Sequence, residues 1–212
     1  MIASKHPYLQ HSRYMSALIL SVLLSACSSY STKQDIDIST ETYLAMPDTW
    51  SIYAKLGIKN DEDSGSVTLN WEQTRNDYHI QVSGPFGQGN AKLTGNDQLI
   101  RIEQPGKQTL YSKAPKMLVQ QTFGWDLPLQ HLPYWIRGLQ NPNDSADTVQ
   151  NKQYDDMGLL SGFSQYGWTI TYSRYTPKQQ RLAPHKIRAE NGNITLTLII
   201  KEWSFPTLAT QE

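Results

Sequence analysis

The sequence predicts a mainly β domain of the α+β class: a strongly curved antiparallel sheet with a few helices packed over its concave side. Three observations carry that expectation. Apolar and polar residues alternate in six runs, the period at which a strand presents one face to a core. Short turns rich in Gly, Asn and Asp separate many of these runs, as in an antiparallel meander. Two further segments carry apolar residues at helical spacing, too few to cover both faces of a long sheet.

In chain order, WSIYAKLGIK from Trp50 opens the series. SVTLNWEQ follows with Val67, Leu69 and Trp71 between polar neighbours, then DYHIQV with Tyr78, Ile80 and Val82. TRND between those two reads as a hairpin turn, and NDEDSG, TGND, QPGK and ENGN read as further tight connections. QLIRIEQ around Ile100, GWTITY with Trp168, Ile170 and Tyr172, and NITLTLIIKEW with Ile194, Leu196, Leu198 and Ile200 continue the alternation. APKMLVQQTFG, residues 114–124, has a proline suited to a first helical turn, places Met117, Leu118 and Gln121 at helical spacing and ends on glycine. LPLQHLPYWIRGL, residues 127–139, sets Leu129, Leu132, Trp135, Ile136 and Leu139 on one side, with Pro133 dividing it into two short turns. A curved sheet lined with Leu, Ile, Tyr and Trp and only partly filled by helices leaves an apolar cavity.

The N-terminus reads as a targeting segment. Lys5, His6, His11 and Arg13 make a weakly basic leader, and YMSALILSVLLSA is an apolar run shorter than the ~20 residues a spanning helix needs. It ends in Leu24-Ser25-Ala26-Cys27, where Cys27 is the only cysteine of the 212 residues. That stretch resembles a bacterial lipobox, so residues 1–26 are expected to leave as a lipoprotein signal peptide and Cys27 to carry acyl chains. Several chains at ~0.8 kcal/mol per buried methylene give a permanent anchor. Ser28 and Ser29, rather than an aspartate, follow the cysteine and favour the outer membrane. Residues 27–45 read as the lipidated end and tether, and 46–212 as the domain. A body without cysteine suits the oxidising periplasm.

Losing Lys5 and Arg13 leaves 17 basic residues against 19 acidic, a balance that does not argue for a nucleic-acid partner, and none is expected. SGPFGQG at 83–89 places Phe86 between Pro85 and Gly87 in turn chemistry, where a large apolar side chain has little to pack on. It either folds back over the sheet or touches an apolar surface outside the domain. Catalytic signatures are missing. His79, His131 and His185 stand alone in sequence, no GxSxG or HExxH occurs, and GPFGQG lacks the Lys-Ser/Thr of a phosphate loop. Asp155 and Asp156 read as a solvated turn. No cofactor or metal is expected.

SGPFGQG, GWDLPLQHLPYWIRGLQNP from Gly124, GWTITYSRY from Gly167 and LAPHKIRAENGNITLTLIIKEW resemble the LolB family of outer-membrane lipoprotein receptors. With the lipobox, the resemblance covers nearly the whole mature chain. It implies an unclosed β-barrel with helices as a lid over an apolar cavity. It further implies a monomer that takes lipoproteins from the periplasmic carrier LolA and releases them into outer-membrane lipid without nucleotide. Trp71, Ile80, Val82, Trp125, Leu129, Leu132, Trp135 and Ile136 are then expected to line or gate the space for acyl chains. Phe86 matches a protruding tip that is usually leucine in the family and puts cargo into the membrane. A lipid-binding scaffold without transfer and an anchored hydrolase are the competing classes.

Overall fold

The computed structural model describes residues 45–85, 89–124, 127–145 and 148–206. The leader, Cys27 and all of the tether but its last residue lie outside the described residues, as do Phe86, Gly87 and Trp125.

Six strands run first, β1 (Thr49–Lys59), β2 (Ser64–Thr74), β3 (Asp77–Ser83), β4 (Ala91–Gly95), β5 (Ile100–Glu103) and β6 (Leu110–Ser112). Helices α1 (Pro115–Phe123) and α2 (Leu132–Ile136) follow. The chain then forms β7 (Val149–Tyr154), β8 (Leu160–Gln165), β9 (Trp168–Lys178), β10 (Arg181–Asn191) and β11 (Ile194–Ser204). All these strands lie in one sheet, ordered β6-β5-β4-β3-β2-β1-β11-β10-β9-β8-β7, with every neighbouring pair antiparallel. Two meanders are thus joined at the centre by β1 and β11, where Ser51 faces Ser204 and Lys59 faces Thr195. The helical segment carries the chain from one edge of the sheet to the other.

The alternation of the sequence becomes the inner face. Trp50, Ile52 and Ala54 of β1, Leu69 and Trp71 of β2, and Tyr78 and Ile80 of β3 are all buried. Trp71 of β2 lines the same small void as Ile170 of β9 and Ile187 of β10. Neighbouring strands sit ~4.8 Å apart, so a flat sheet would hold β2 and β9 roughly 19 Å from each other. The sheet is therefore open and curved, as the sequence predicts. At the β4–β5 turn, a Cβ on Gly95 would overlap the Leu99 carbonyl, which accounts for glycine there.

Several expectations need correction. α1 begins at Pro115 and stops at Gly124, which adopts φ 81° and returns its N–H to the Gln120 carbonyl. Its buried residue is Val119, however, and Met117 is 59% exposed. Of the expected Met117, Leu118 and Gln121, Leu118 packs against the core, while the stripe facing the cavity runs through Val119 and Phe123, one turn apart. Leu139 is likewise exposed, because the chain leaves α2 at Arg137 and turns through Gly138 at φ 72°. None of the six alternating runs covers β4, β6, β7, β8 or β10. β7 is an edge strand whose residues are exposed apart from Val149, and it offers no alternation to read. β10 contains Pro184, tolerated because that stretch pairs with β9 only; pairing with β11 runs from Lys186 to Asn191. The indole of Trp203 donates to the Pro184 carbonyl at 2.9 Å where that ladder ends.

Candidate functional site

On the concave face the helices stand off from the strands. A cavity of about 270 Å³ separates Val119 and Phe123 of α1 from the inner face of β1 to β4. Leu56 and Ile58, Val67, Leu69 and Trp71 form its floor, with Ile80, Val82 and Leu93 beside them. Leu127, Leu129 and Leu132, from the connection into α2, close its other wall. A second void of about 100 Å³ shares Leu56, Leu69, Trp71, Leu127 and Leu132 with the first. It extends toward Trp135, Ile136, Ile170, Ile187 and Leu198.

Among the described lining residues, the only side-chain polar groups are the indole N–H groups of Trp71 and Trp135, and both are consumed elsewhere. Trp71 Nε1 donates to Gln73 Oε1 at 2.9 Å and Trp135 Nε1 to Gln165 Oε1 at 2.8 Å. Both glutamines are buried and oriented in turn. Gln73 Nε2 donates to the Arg75 carbonyl at 2.7 Å, and Gln165 Nε2 to Asp144 Oδ2 at 2.8 Å. The aromatic wall thus offers hydrocarbon alone.

Every described residue expected at the cavity touches one of these voids. Trp71 and Leu132 line both, Ile80, Val82 and Leu129 line the larger, and Trp135 and Ile136 line the smaller. Pro85 is exposed just past the end of β3. Leu56 and Ile58 were not singled out, and Val67 and Leu69 were read only as strand residues, although the β-strand period places them all at the cavity. Val119 and Phe123 were missed with the inward face of α1.

α2 is fastened by polar groups that no motif announced. Tyr172 Oη donates to the Trp135 carbonyl at 2.7 Å from the opposite wall. Arg137 is buried and donates from Nε to the Pro133 carbonyl at 2.9 Å and from Nη1 to the Pro47 carbonyl at 2.8 Å. Its guanidinium lies 5.0 Å from the Tyr134 ring centroid. Just before α2, the ring of buried His131 lies tilted by 31° against that of Tyr166, 4.4 Å between centroids. Its Nδ1 lies 3.2 Å from Asp144 Oδ2, an electrostatic contact off the N–H axis rather than an aligned hydrogen bond. Burial lowers the His131 pKa while Asp144 pulls it up, and burial wins. The group is a neutral part of the scaffold. Asp155, far from the cavity in sequence, has its carboxylate engaged by the Met157 and Leu159 N–H groups of its own turn.

An open antiparallel sheet roofed by helices over a hydrocarbon-lined cavity has the shape and lining that suit apolar ligands. The family model described as "Outer membrane lipoprotein LolB" matches residues 48–203. An outer-membrane lipoprotein LolB of Pseudomonas paraeruginosa is 34% identical over 189 residues, covering 85% of this chain and 90% of the relative. One from Cellvibrio japonicus is 37% identical over 159 residues, covering 73% and 77%. A DUF1329 family protein from Desulfovibrio piger is similar in fold, with a TM-score of 0.50 at 8% identity over 77% of this chain and 88% of that one. The chain belongs to the LolB family of outer-membrane lipoproteins, non-enzymatic factors of lipoprotein localisation.

Proposed function

We propose that this protein is an outer-membrane receptor that accepts lipoproteins from the periplasmic carrier LolA and inserts them into the outer membrane without nucleotide hydrolysis. The observation that carries the reading is the pair of adjoining apolar voids under the helices, whose two indole N–H groups are both bonded to buried glutamines. A cargo chain of roughly sixteen carbons exposed to water costs on the order of 12 kcal/mol at ~0.8 kcal/mol per methylene. Passage across an aqueous space then requires one apolar shelter after another, each a better host than the last.

In this scheme Trp71, Ile80, Val82, Trp125, Leu129, Leu132, Trp135 and Ile136 hold or gate the acyl chains. At about 270 Å³ the cavity sits just below the ~300–1,000 Å³ of typical ligand sites, so a full chain requires the roof to lift. Cys27 carries the anchor after removal of residues 1–26, residues 27–45 form the tether, and the domain from 46 onward acts as a monomer. Pro85, Phe86 and Gly87 form the loop that meets the bilayer. Burying one phenylalanine gives roughly 1.5–3 kcal/mol, enough to bias the loop toward lipid and too little to fix it there.

The test is hand-over. The lipidated protein in vesicles is mixed with carrier loaded with a labelled lipoprotein, in the absence of ATP. Label is expected first on the protein and then in the vesicles; label that stays on the carrier refutes the reading.

A further inference from the structure

We propose that Arg174, His185 and Lys201 form a docking surface on β9, β10 and β11 for an acidic face of a soluble protein, which in the function proposed above is the carrier. The inference rests on that function and adds the place where the carrier first meets the receptor.

Each of the three residues sits at a break in regular strand pairing. Arg174 lies within β9 and adopts φ 60°. Among the described residues, the others with positive φ that are not glycine occupy tight turns or, for Asn151, the edge strand β7. His185 faces Arg174 at the step that the β9–β10 ladder skips, between the pairs Pro184 with Tyr175 and Lys186 with Ser173. Lys201 is the extra residue of a bulge in β11, because Tyr53 of β1 pairs with Glu202 and Ala54 with Ile200. A bulge re-aims its side chain, and a side chain at positive φ is strained. Regular strands would hold these three residues with less strain.

The spot they share is cationic. Burial lowers the His185 pKa, Arg174 and Lys201 lower it further, and no acid acts on it in the opposite sense. Arg174 and Lys201 are exposed and His185 partly so. None of the three side chains has a hydrogen bond or ion pair among the described residues. Glu202, next in the chain, lines a groove with Tyr53 and Glu72 instead. Like charges brought together across strands repel, and an anion supplied from outside relieves that repulsion.

Position selects the source of the anion. Ser83 at the end of β3 faces Thr68 near the start of β2, and Thr169 near the start of β9 faces Glu190. In this antiparallel order both mark the same end of the sheet, the one from which the connection through Pro85 departs. Arg174 is six residues along β9 from Trp168, roughly 20 Å at ~3.3 Å per residue. Screening acts over about 8 Å at physiological salt, so phosphates met by that end of the sheet are weakly felt at Arg174. A soluble protein can approach the cluster directly. Attraction there steers the encounter before apolar surfaces meet.

The test follows labelled lipoprotein as it passes from loaded carrier to the lipidated protein, held in vesicles of zwitterionic phospholipid or in vesicles that also contain phosphatidylglycerol. Wild type is compared with the double variant Arg174→Glu, Lys201→Glu and with Arg174→Gly. Glycine suits φ 60°, so the melting temperature of Arg174→Gly should not fall. At about 0.02 M salt the double variant is expected to accept label roughly tenfold more slowly than wild type in both kinds of vesicle, and Arg174→Gly about threefold more slowly. Both gaps should close at about 0.5 M salt. Equal rates for wild type and the double variant at low salt overturn the docking surface and leave the receptor reading standing. A defect confined to vesicles with phosphatidylglycerol assigns the cluster to lipid and overturns it as a protein docking surface. If wild type accepts no label at either salt, the receptor reading and the docking surface fall together.

Discussion

Arg137 and Pro47 are joined by a hydrogen bond of 2.8 Å from the guanidinium to the proline carbonyl, which ties the end of α2 to the segment that leads into β1. Arg181 does the same for Ala45, with Nε 3.2 Å from that carbonyl and its guanidinium over the Phe205 ring. Two buried arginines thus hold the segment that enters β1, and one of them also belongs to the roof of the cavity.

Replacing Arg137 with alanine strands the Pro47 and Pro133 carbonyls. The expected loss is about 2–4 kcal/mol, read from the urea midpoint at constant m-value. Lysine should recover only part of it, because one ammonium does not reproduce the two-pronged geometry or the packing on Tyr134. A midpoint unchanged in Arg137→Ala would show that the fastening carries no stability.

The glutamines behind the tryptophans give a sharper test. Gln73→Leu leaves the Trp71 indole N–H buried without its partner, at an expected cost of roughly 1–3 kcal/mol. Adding Trp71→Phe removes the orphaned donor and should restore part of that loss, although the shorter ring leaves space behind it. If the double variant is less stable than the two single losses added together, the account of the paired wall fails.

Acid should weaken the fold through His131. Its folded pKa lies below the ordinary 6.5, so the unfolded chain takes the proton first as pH falls. The contribution of neutral His131 is complete above about 6.5 and is lost progressively as pH drops toward the folded pKa. Asp144→Asn removes a partner that raises the pKa, and should move the His131 midpoint further down in an NMR titration. A midpoint that rises in Asp144→Asn contradicts this assignment.

Phe86→Glu tests the loop. Folding and cargo uptake are expected to be normal while transfer to vesicles slows at least tenfold. Delivery at the wild-type rate would remove Phe86 from the membrane step.

How much of this was legible follows from where information is local. β1, β2, β3, β9 and β11 bury one face, so Leu69-Asn70-Trp71 and Trp168-Thr169-Ile170 display the period of two in the chain itself. β7 and β8 do not, since Gln150 to Tyr154 are all exposed and Leu160-Ser161-Gly162-Phe163 has no clean alternation. The apolar wall could be anticipated from Trp71, Ile80 and Leu132 because hydrophobicity survives in one dimension. Its polar backing could not. Gln165 meets Trp135 across 30 positions and Arg137 meets Pro47 across 90, and neither sequence neighbourhood hints at the other.

The central place of β1 and β11 has a kinetic meaning. The first and last strands are neighbours, with Ser51 opposite Ser204, so the middle of the sheet cannot be zipped until the C-terminal strand is available. Each meander can form its local hairpins early, but the pairing that makes them one sheet spans most of the chain and pays its loop-closure entropy last. A chain emerging N-terminus first would stay pliable until its final strand appeared, and then close as a unit.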